Sequence, residues 1–281
     1  MHGEEQALSY SNNNYSYVTI LTTESYISGC LILNQSLKDV GSKYPFLVVC
    51  PCDISDNIKR RLSDNKIQYV LLENLPQDII KRNNLNSYWN NTLFKIKIFS
   101  LVNLEKIVFL DTDMIILQNI DHLFDYPHMS ASDSGAILFP EWKGGINSGL
   151  MVVKPEKSVY EGLLSCIERA YEKRTKNNLG FGDQDIIKEF YPNWSKEEHL
   201  HLPETYNTML GYGGILRKAN IIKSWKEIKV YHYTGTEKPW NKGIKNHIII
   251  LLKILKRAKF HSNIDLRIYK HYKKTMAKLE I

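Results

Sequence analysis

Apolar positions along the chain fall into short continuous runs separated by stretches of helical spacing. Tyr17–Leu21 (YVTIL), Phe46–Cys50 and Tyr69–Leu72 are brief runs rich in β-branched and aromatic residues, the second closed by Pro51. Their length and composition predict buried strands. Between them, Tyr26–Val40 places Ile27, Leu31 and Asn34 at helical spacing, and Ser55–Asn65 is a polar helix opened by Ser and Asp. The order β-α-β-α-β predicts a parallel sheet covered by helices on both faces. Further along, Thr92–Val102 predicts a helix, Lys106–Leu110 (KIVFL) a continuous apolar strand, and Met114–Leu117 a second short run. Asn147–Val153 predicts a strand closed by Pro155, Glu156–Lys173 a long helix, Asp183–Phe190 another helix, and Val230–Tyr233 a late strand. No internal repeat and no Gly/Ser linker interrupts this series. The expected organisation is a polar, Asn/Ser-rich flexible leader over 1–16, one α/β domain over 17–243, and a tail over 244–281.

Charge separates the tail from the rest. The chain carries a formal +7, yet residues 245–281 hold ten Lys/Arg against two acids, which leaves residues 1–244 close to neutral. A basic body for gripping duplex nucleic acid is therefore not expected. The most apolar stretch, Ile248–Leu255, is too short to span a bilayer and contains Lys253. With the lysines that follow it reads as a basic amphipathic helix. Such a helix either packs its Ile/Leu face on the domain or docks peripherally on an anionic membrane surface. Cys30, Cys50, Cys52 and Cys166 show neither a CxxC pair nor zinc spacing, and the N-terminus has no apolar signal core. These features predict reduced thiols and a cytoplasmic location.

Two places carry candidate chemistry. Asp111-Thr112-Asp113 follows the KIVFL strand directly, and in open α/β sheets ligands sit beyond the carboxyl ends of the strands. Two carboxylates one residue apart in extended chain point to one side and suit a hard divalent cation that bridges to phosphates. Taken alone, the same tripeptide is also an ordinary acidic turn. Further on, Val230–Trp240 combines an imidazole (His232), a glycine for close backbone approach (Gly235) and a lysine (Lys238). His232 could complete a metal shell and Lys238 could neutralise a departing phosphate.

With these residues in view, LTTESY (21–26), LFKIKIF (93–99), FLDTDMIILQNIDHLF (109–124), INSGLMVVKP (146–155), GDQ (182–184), HLPETYN (201–207) and HYTGTEKPW (232–240) stand in one order along residues 17–243. In this the chain resembles the glycogenin-like retaining glycosyltransferases of family 8, a branch that also includes plant galactinol synthases. The resemblance implies a single GT-A domain, Rossmann-like, with a central, mostly parallel sheet, followed here by the basic helical tail. It implies transfer of a hexose, glucose or galactose, from a UDP-sugar with Mn²⁺ (or Mg²⁺) to a glycan or other hydroxyl acceptor. It also implies roles. Leu21, Thr22, Thr23, Tyr26 and Thr112 would hold the nucleotide, with Gly235 and Lys238 on its pyrophosphate and Trp240 packed beside them. Asp111, Asp113 and His232 would ligate the metal. Asp133, Asn147 and Ser148 would bind donor sugar hydroxyls, and Asp183, Gln184 and Lys95 would act at the reacting centre. The chemistry suits these types: a cation and a lysine stabilise charge growing on the leaving diphosphate, and a carboxylate beside the sugar stabilises an oxocarbenium-like state. Double displacement through Asp183 and same-face attack are both open. Glycogenins carry a further aspartate where this chain has Gly180, so the acceptor side differs. Self-glucosylation at a tyrosine, with Tyr206, Tyr212 and Tyr231 in the relevant region, and a catalytically silent nucleotide-sugar-binding protein are the alternatives; the resemblance also implies a homodimer.

Overall fold

The computed structural model describes residues 14–76, 92–133, 137, 145–177, 180–258 and 263–279; most of the expected leader, residues 1–13, lies outside them. Strand β1 (Tyr15–Ile20) begins two residues inside that leader. It is followed by helix α1 (Ile27–Asp39), β2 (Phe46–Pro51), α2 (Asp56–Asp64) and β3 (Gln68–Leu72). Ser55 caps α2, its hydroxyl accepting from the Ile58 N–H at 3.4 Å, which satisfies a donor the first turn would otherwise leave open. Strands β4 (Lys106–Leu110), β5 (Met114–Ile116), β6 (Ala131–Ser132) and β7 (Asn147–Val153) come next. Then follow helices α3 (Lys157–Thr175) and α4 (Asp183–Phe190), strands β8 (His201–Leu202) and β9 (Thr208–Met209), helix α5 (Gly213–Lys218), strand β10 (Val230–His232), and helices α6 (Ile244–Ala258) and α7 (Asn263–Met276).

The main sheet has the order β3-β2-β1-β4-β7-β6-β8. Strands β3, β2, β1 and β4 run parallel, as the sequence predicts. β7 reverses direction beside β4, and β6 and β8 complete the edge. The chain leaves β1 and β4 at adjacent points of the sheet, with β2 on one side and β7 on the other, which is the switch point where such sheets bind ligands. A hydrogen bond from Thr19 Oγ1 to the Leu110 carbonyl (2.6 Å) ties the two strand ends together. A small sheet, β5-β10-β9, stands beside it and brings residues 230–232 back to the DTD segment.

Strand alternation divides the core. Ile107 and Phe109 of β4 face a cluster filled by residues 93–99, α3 and α4, whereas Val108 and Leu110 face α1 and α2. The segment expected as an ordinary helix over Thr92–Val102 is wound as a 3₁₀ helix over Phe94–Ser100. Three residues per turn put Leu93, Ile96 and Phe99, all buried, on one face.

The tail, expected as one amphipathic helix, is two. Ile250 and Ile254 of α6 and Ile264, Ile268, Tyr269 and Tyr272 of α7 share a third cluster with Ile32, Ile115, Tyr231, Tyr233 and Trp240. One unbroken helix over this stretch would run about 50 Å, so only a break lets both apolar faces cover the same cluster. Asp265, fully buried, locks α7 in place: its carboxylate accepts from the N–H groups of Gly213 (3.0 Å) and Gly214 (2.8 Å) and from the Tyr231 hydroxyl (2.6 Å). No helix among the described residues is long and apolar enough to cross a membrane. All four cysteines are free, and burial pushes the Cys50 thiol up to about 12.

Candidate active site

The residues that follow β4 turn rather than extend. Met114 N–H bonds back to the Asp111 carbonyl at 3.1 Å, so the extended geometry expected for Asp111-Thr112-Asp113 is not what places the two acids together. The turn instead aims both carboxylates at His232, which arrives on β10 from the small sheet. His232 Nε2 lies 3.0 Å from Asp113 Oδ1 and 3.8 Å from Asp111 Oδ2. One ligand atom from each of the three residues falls within 4.8 Å of the others. Two carboxylates and an imidazole nitrogen, drawn from distant parts of the chain into a largely buried cluster, fit a divalent cation of the Mn²⁺ or Mg²⁺ kind. Gly149 makes room for this: a Cβ there would lie 2.8 Å from His232 Cε1 and 2.9 Å from Met114 Cε.

Two lysines flank the cluster. Lys238 Nζ donates to Asp113 Oδ2 at 2.5 Å and to the Tyr233 carbonyl at 3.0 Å. Against the opposing effect of burial, His232 and Lys238 hold the Asp113 carboxyl well below the usual carboxylate range. On the other side, Lys95 Nζ bridges Asp111 Oδ1 (2.9 Å) and Asp183 Oδ2 (3.1 Å) and reaches Ser148 Oγ at 3.3 Å. Burial disfavours the ammonium, but Asp111 and Asp183 outweigh it and hold Lys95 above its ordinary value. Asp183, at the start of α4, also accepts from Ser148 Oγ at 2.6 Å, and Gln184 Oε1 accepts the Ser148 N–H at 3.3 Å. Lys95, Asp111, Ser148, Asp183 and Gln184 thus form one continuous polar unit.

The nucleotide-side residues gather at the mouth of β1. The Leu21 side chain is fully buried and its N–H bonds to the Val49 carbonyl (3.0 Å), so only its carbonyl can serve a ligand. Thr22 and Thr23 are half-buried; the Thr23 hydroxyl meets Ser25 Oγ at 3.0 Å and does not cap the following turn. Thr112 is nearly buried within the DTD turn. Tyr26 packs edge-on against Trp240 (ring centroids 5.6 Å apart), with Lys238 Nζ over its ring, and Trp240 Nε1 donates to the Ser25 carbonyl at 2.8 Å. Trp240 fits because α1 carries Gly29: a Cβ there would lie 2.7 Å from the indole and from the Thr112 carbonyl. Gly235 has φ +102°, the left-handed region where glycine is favoured. On the sugar side, Ser132 is in register with Asn147, and Asp133 follows it at that sheet end.

Four further residues, to which neither spacing nor motif gives a role, support this arrangement. Asn207 contacts both His232 and Asn147 (2.9 Å each). Asn246 donates to the Lys238 carbonyl at 2.8 Å. Lys253 of α6 pairs with Glu237 in the 232–240 loop. Asp265 holds Tyr231, the neighbour of His232. The last had a readable signal, an acid among the apolar positions 264, 268 and 272 of one helix face.

The sequence profile described as "Glycosyl transferase family 8" matches residues 17–243, from β1 through Lys238 and Trp240. The chain belongs to this family. Human glycogenin-1 is 29% identical over 234 residues, covering 80% of this chain and 62% of glycogenin-1. Human glycogenin-2 is 30% identical over 247 residues, covering 84% of this chain and 45% of glycogenin-2. The chain thus spans less than two thirds of the length of these relatives. Among solved structures, the galactosyltransferase LgtC, in complex with donor and acceptor sugar analogs, superposes with a TM-score of 0.61 at 14% identity, covering 95% of this chain and 96% of LgtC. That likeness shows a shared GT-A fold, and the helical C-terminal segment is present here as α6 and α7.

Proposed function

We propose that this family 8 glycosyltransferase transfers a hexose, glucose or galactose, from a UDP-sugar to a hydroxyl acceptor with retention of configuration and with a divalent cation, Mn²⁺ or Mg²⁺. The observation that carries the reading is the meeting of Asp111, Asp113 and His232 with Lys238 on one side and the Lys95–Asp183 pair on the other. Asp111, Asp113 and His232 would hold the cation, which supplies Lewis-acid stabilisation of the leaving diphosphate. Lys238 adds a fixed ammonium for the charge that develops there. The Leu21 carbonyl, Thr22, Thr23, Tyr26 and Thr112 line the nucleotide side; Asp133, Asn147 and Ser148 line the sugar side. Asp183 Oδ2 takes bonds from both Lys95 and Ser148. These fix the orientation of the carboxylate, so that its negative charge would face positive charge developing on the sugar, with Gln184 held beside it.

An external acceptor is favoured over self-glucosylation at the tyrosines named above. Tyr231 is fully buried, and Tyr212 and Tyr206 are only 3% and 8% exposed. The Gly180 position faces open space, with nothing within 4 Å of a Cβ placed there. A location near a lipid-linked acceptor is supported by α6. Ile244, Ile248, Leu252 and Leu255 form an exposed stripe flanked by exposed Lys245 and Lys256, as in helices that lie on anionic membrane surfaces.

A donor screen with added Mn²⁺ tests the reading. UDP release from UDP-glucose or UDP-galactose by the unaltered protein, and its loss in Asp113→Asn, is the expected result. Binding of UDP-sugar without turnover of any donor would instead favour a silent binding protein. Intact mass rising in hexose steps would establish self-modification. Sedimentation with phosphatidylglycerol vesicles, weakened by Leu252→Glu, tests the surface reading.

A further inference from the structure

His232 has a second ring nitrogen, and the chain that holds it has a direction fixed by the backbone. The Gly149 N–H donates to Asn147 Oδ1 at 3.0 Å. A backbone N–H can only donate, so that side-chain atom is the amide oxygen. Asn207 Nδ2 donates to the same oxygen at 2.9 Å. Asn207 Oδ1 therefore faces His232 Nδ1, 2.9 Å away, and an amide oxygen can only accept. The hydrogen of the imidazole must sit on Nδ1. In the neutral ring, Nε2 then presents its lone pair to Asp113 Oδ1 at 3.0 Å and Asp111 Oδ2 at 3.8 Å. A lone pair aimed at two carboxylates is unfavourable by itself and becomes favourable once a cation is shared among them.

We propose that Asn207 is a positioning residue: it fixes the tautomer and ring plane of His232 for cation binding and ties that ligand to Asn147 on the donor-sugar side. Complete burial of Asn207 shields the bond from competing water, and outer-shell partners of this kind commonly change metal affinity by about 10- to 100-fold. The inference rests on the reading of Asp111, Asp113 and His232 as a cation site. It adds a residue three elements away from that cluster in sequence, and a physical link between the metal and sugar halves of the pocket.

The experiment reads metal binding and tautomer rather than turnover. Free Mn²⁺ is followed by electron paramagnetic resonance during titration of the full chain, and His232 is observed by long-range ¹H–¹⁵N correlation in the metal-free protein at a pH high enough for its ring to be neutral. The Nδ1–H tautomer is expected for the unaltered chain; the Nε2–H tautomer would overturn the proposal, and this arm needs no variant. Asn207→Leu removes the acceptor and is expected to weaken Mn²⁺ binding about 10- to 100-fold. Asn207→Asp keeps an acceptor for Nδ1–H and is expected to weaken Mn²⁺ binding less than Asn207→Leu does, while abolishing the bond to Asn147. Equal affinity in Asn207→Leu and the unaltered protein would overturn the positioning role alone, as would equal losses in both variants. Absence of Mn²⁺ binding by the unaltered protein would overturn the cation reading, and with it this inference.

Discussion

Lys95 is the shared counter-ion of the site, and its removal separates stability from chemistry. In Lys95→Met the apolar stem is kept and the ammonium is lost, so Asp111 and Asp183, at 2.9 and 3.1 Å from Nζ, face each other's charge uncompensated. The three side chains are only 13%, 26% and 10% exposed, so water replaces little of what is lost. Breaking a buried pair in this way costs about 3–5 kcal/mol. The low end applies here because Asp111 is a quarter exposed. A second change, Asp183→Asn, preserves an acceptor for Ser148 Oγ but removes one of the two opposed charges. The double variant Lys95→Met/Asp183→Asn is therefore expected to regain about 1–3 kcal/mol relative to Lys95→Met, a coupling typical of residues in one network. Urea unfolding at pH 7, without added metal, measures all four corners of the cycle. Hexosyl transfer should be lost in every variant, including the double variant that recovers stability. A loss below about 1 kcal/mol in Lys95→Met, or strict additivity of the two changes, would refute the shared counter-ion argument.

Three further outcomes follow from other parts of the structure. His128 accepts the Lys154 N–H on Nδ1 (3.0 Å) and meets the Tyr191 hydroxyl through Nε2 (2.8 Å), and burial pushes its pKa down to about 4. The unfolded chain takes up this proton first, so stability is lost as pH falls from about 6.5 towards 4, by about 3 kcal/mol at most. Urea midpoints at pH 7 and 4.5 should differ less in His128→Gln than in the unaltered protein. Asp265→Ala leaves two buried N–H groups and the Tyr231 hydroxyl without their acceptor and should cost about 3–5 kcal/mol in thermal or urea unfolding; a loss under about 1 kcal/mol would mean that α7 is not held by this carboxylate. Gly149→Ala should displace the His232 ring by contact at Cε1 and weaken Mn²⁺ binding, read by calorimetry, with a smaller effect on overall stability.

The parallel half of the sheet and the position of its ligand end were written in the local pattern of the chain. Short β-branched runs alternating with amphipathic helices admit few other arrangements, and Asp111 follows an apolar strand at the carboxyl end where such sheets bind. The seven motifs hold every candidate site residue except Asp133, which lies between two of them. Local pattern could not reveal what depends on separation in sequence. The reversal of β7 beside β4, the meeting of Asp111 with His232 some 120 residues away, and the bridging of Asp111 and Asp183 by Lys95 all arise when distant elements pack. Neither the tight winding at Phe94–Ser100 nor the turn at Asp111–Asp113 follows from spacing alone, because burial of Leu93, Ile96 and Phe99 and the closure of the small sheet select them. The tail shows the difference most clearly. Its composition announced a basic amphipathic segment, but composition counts charges without weighing which face is covered. Only the packed structure shows that Asp265, Tyr269 and Tyr272 complete a core beside the site while Ile244, Ile248, Leu252 and Leu255 stay in contact with solvent.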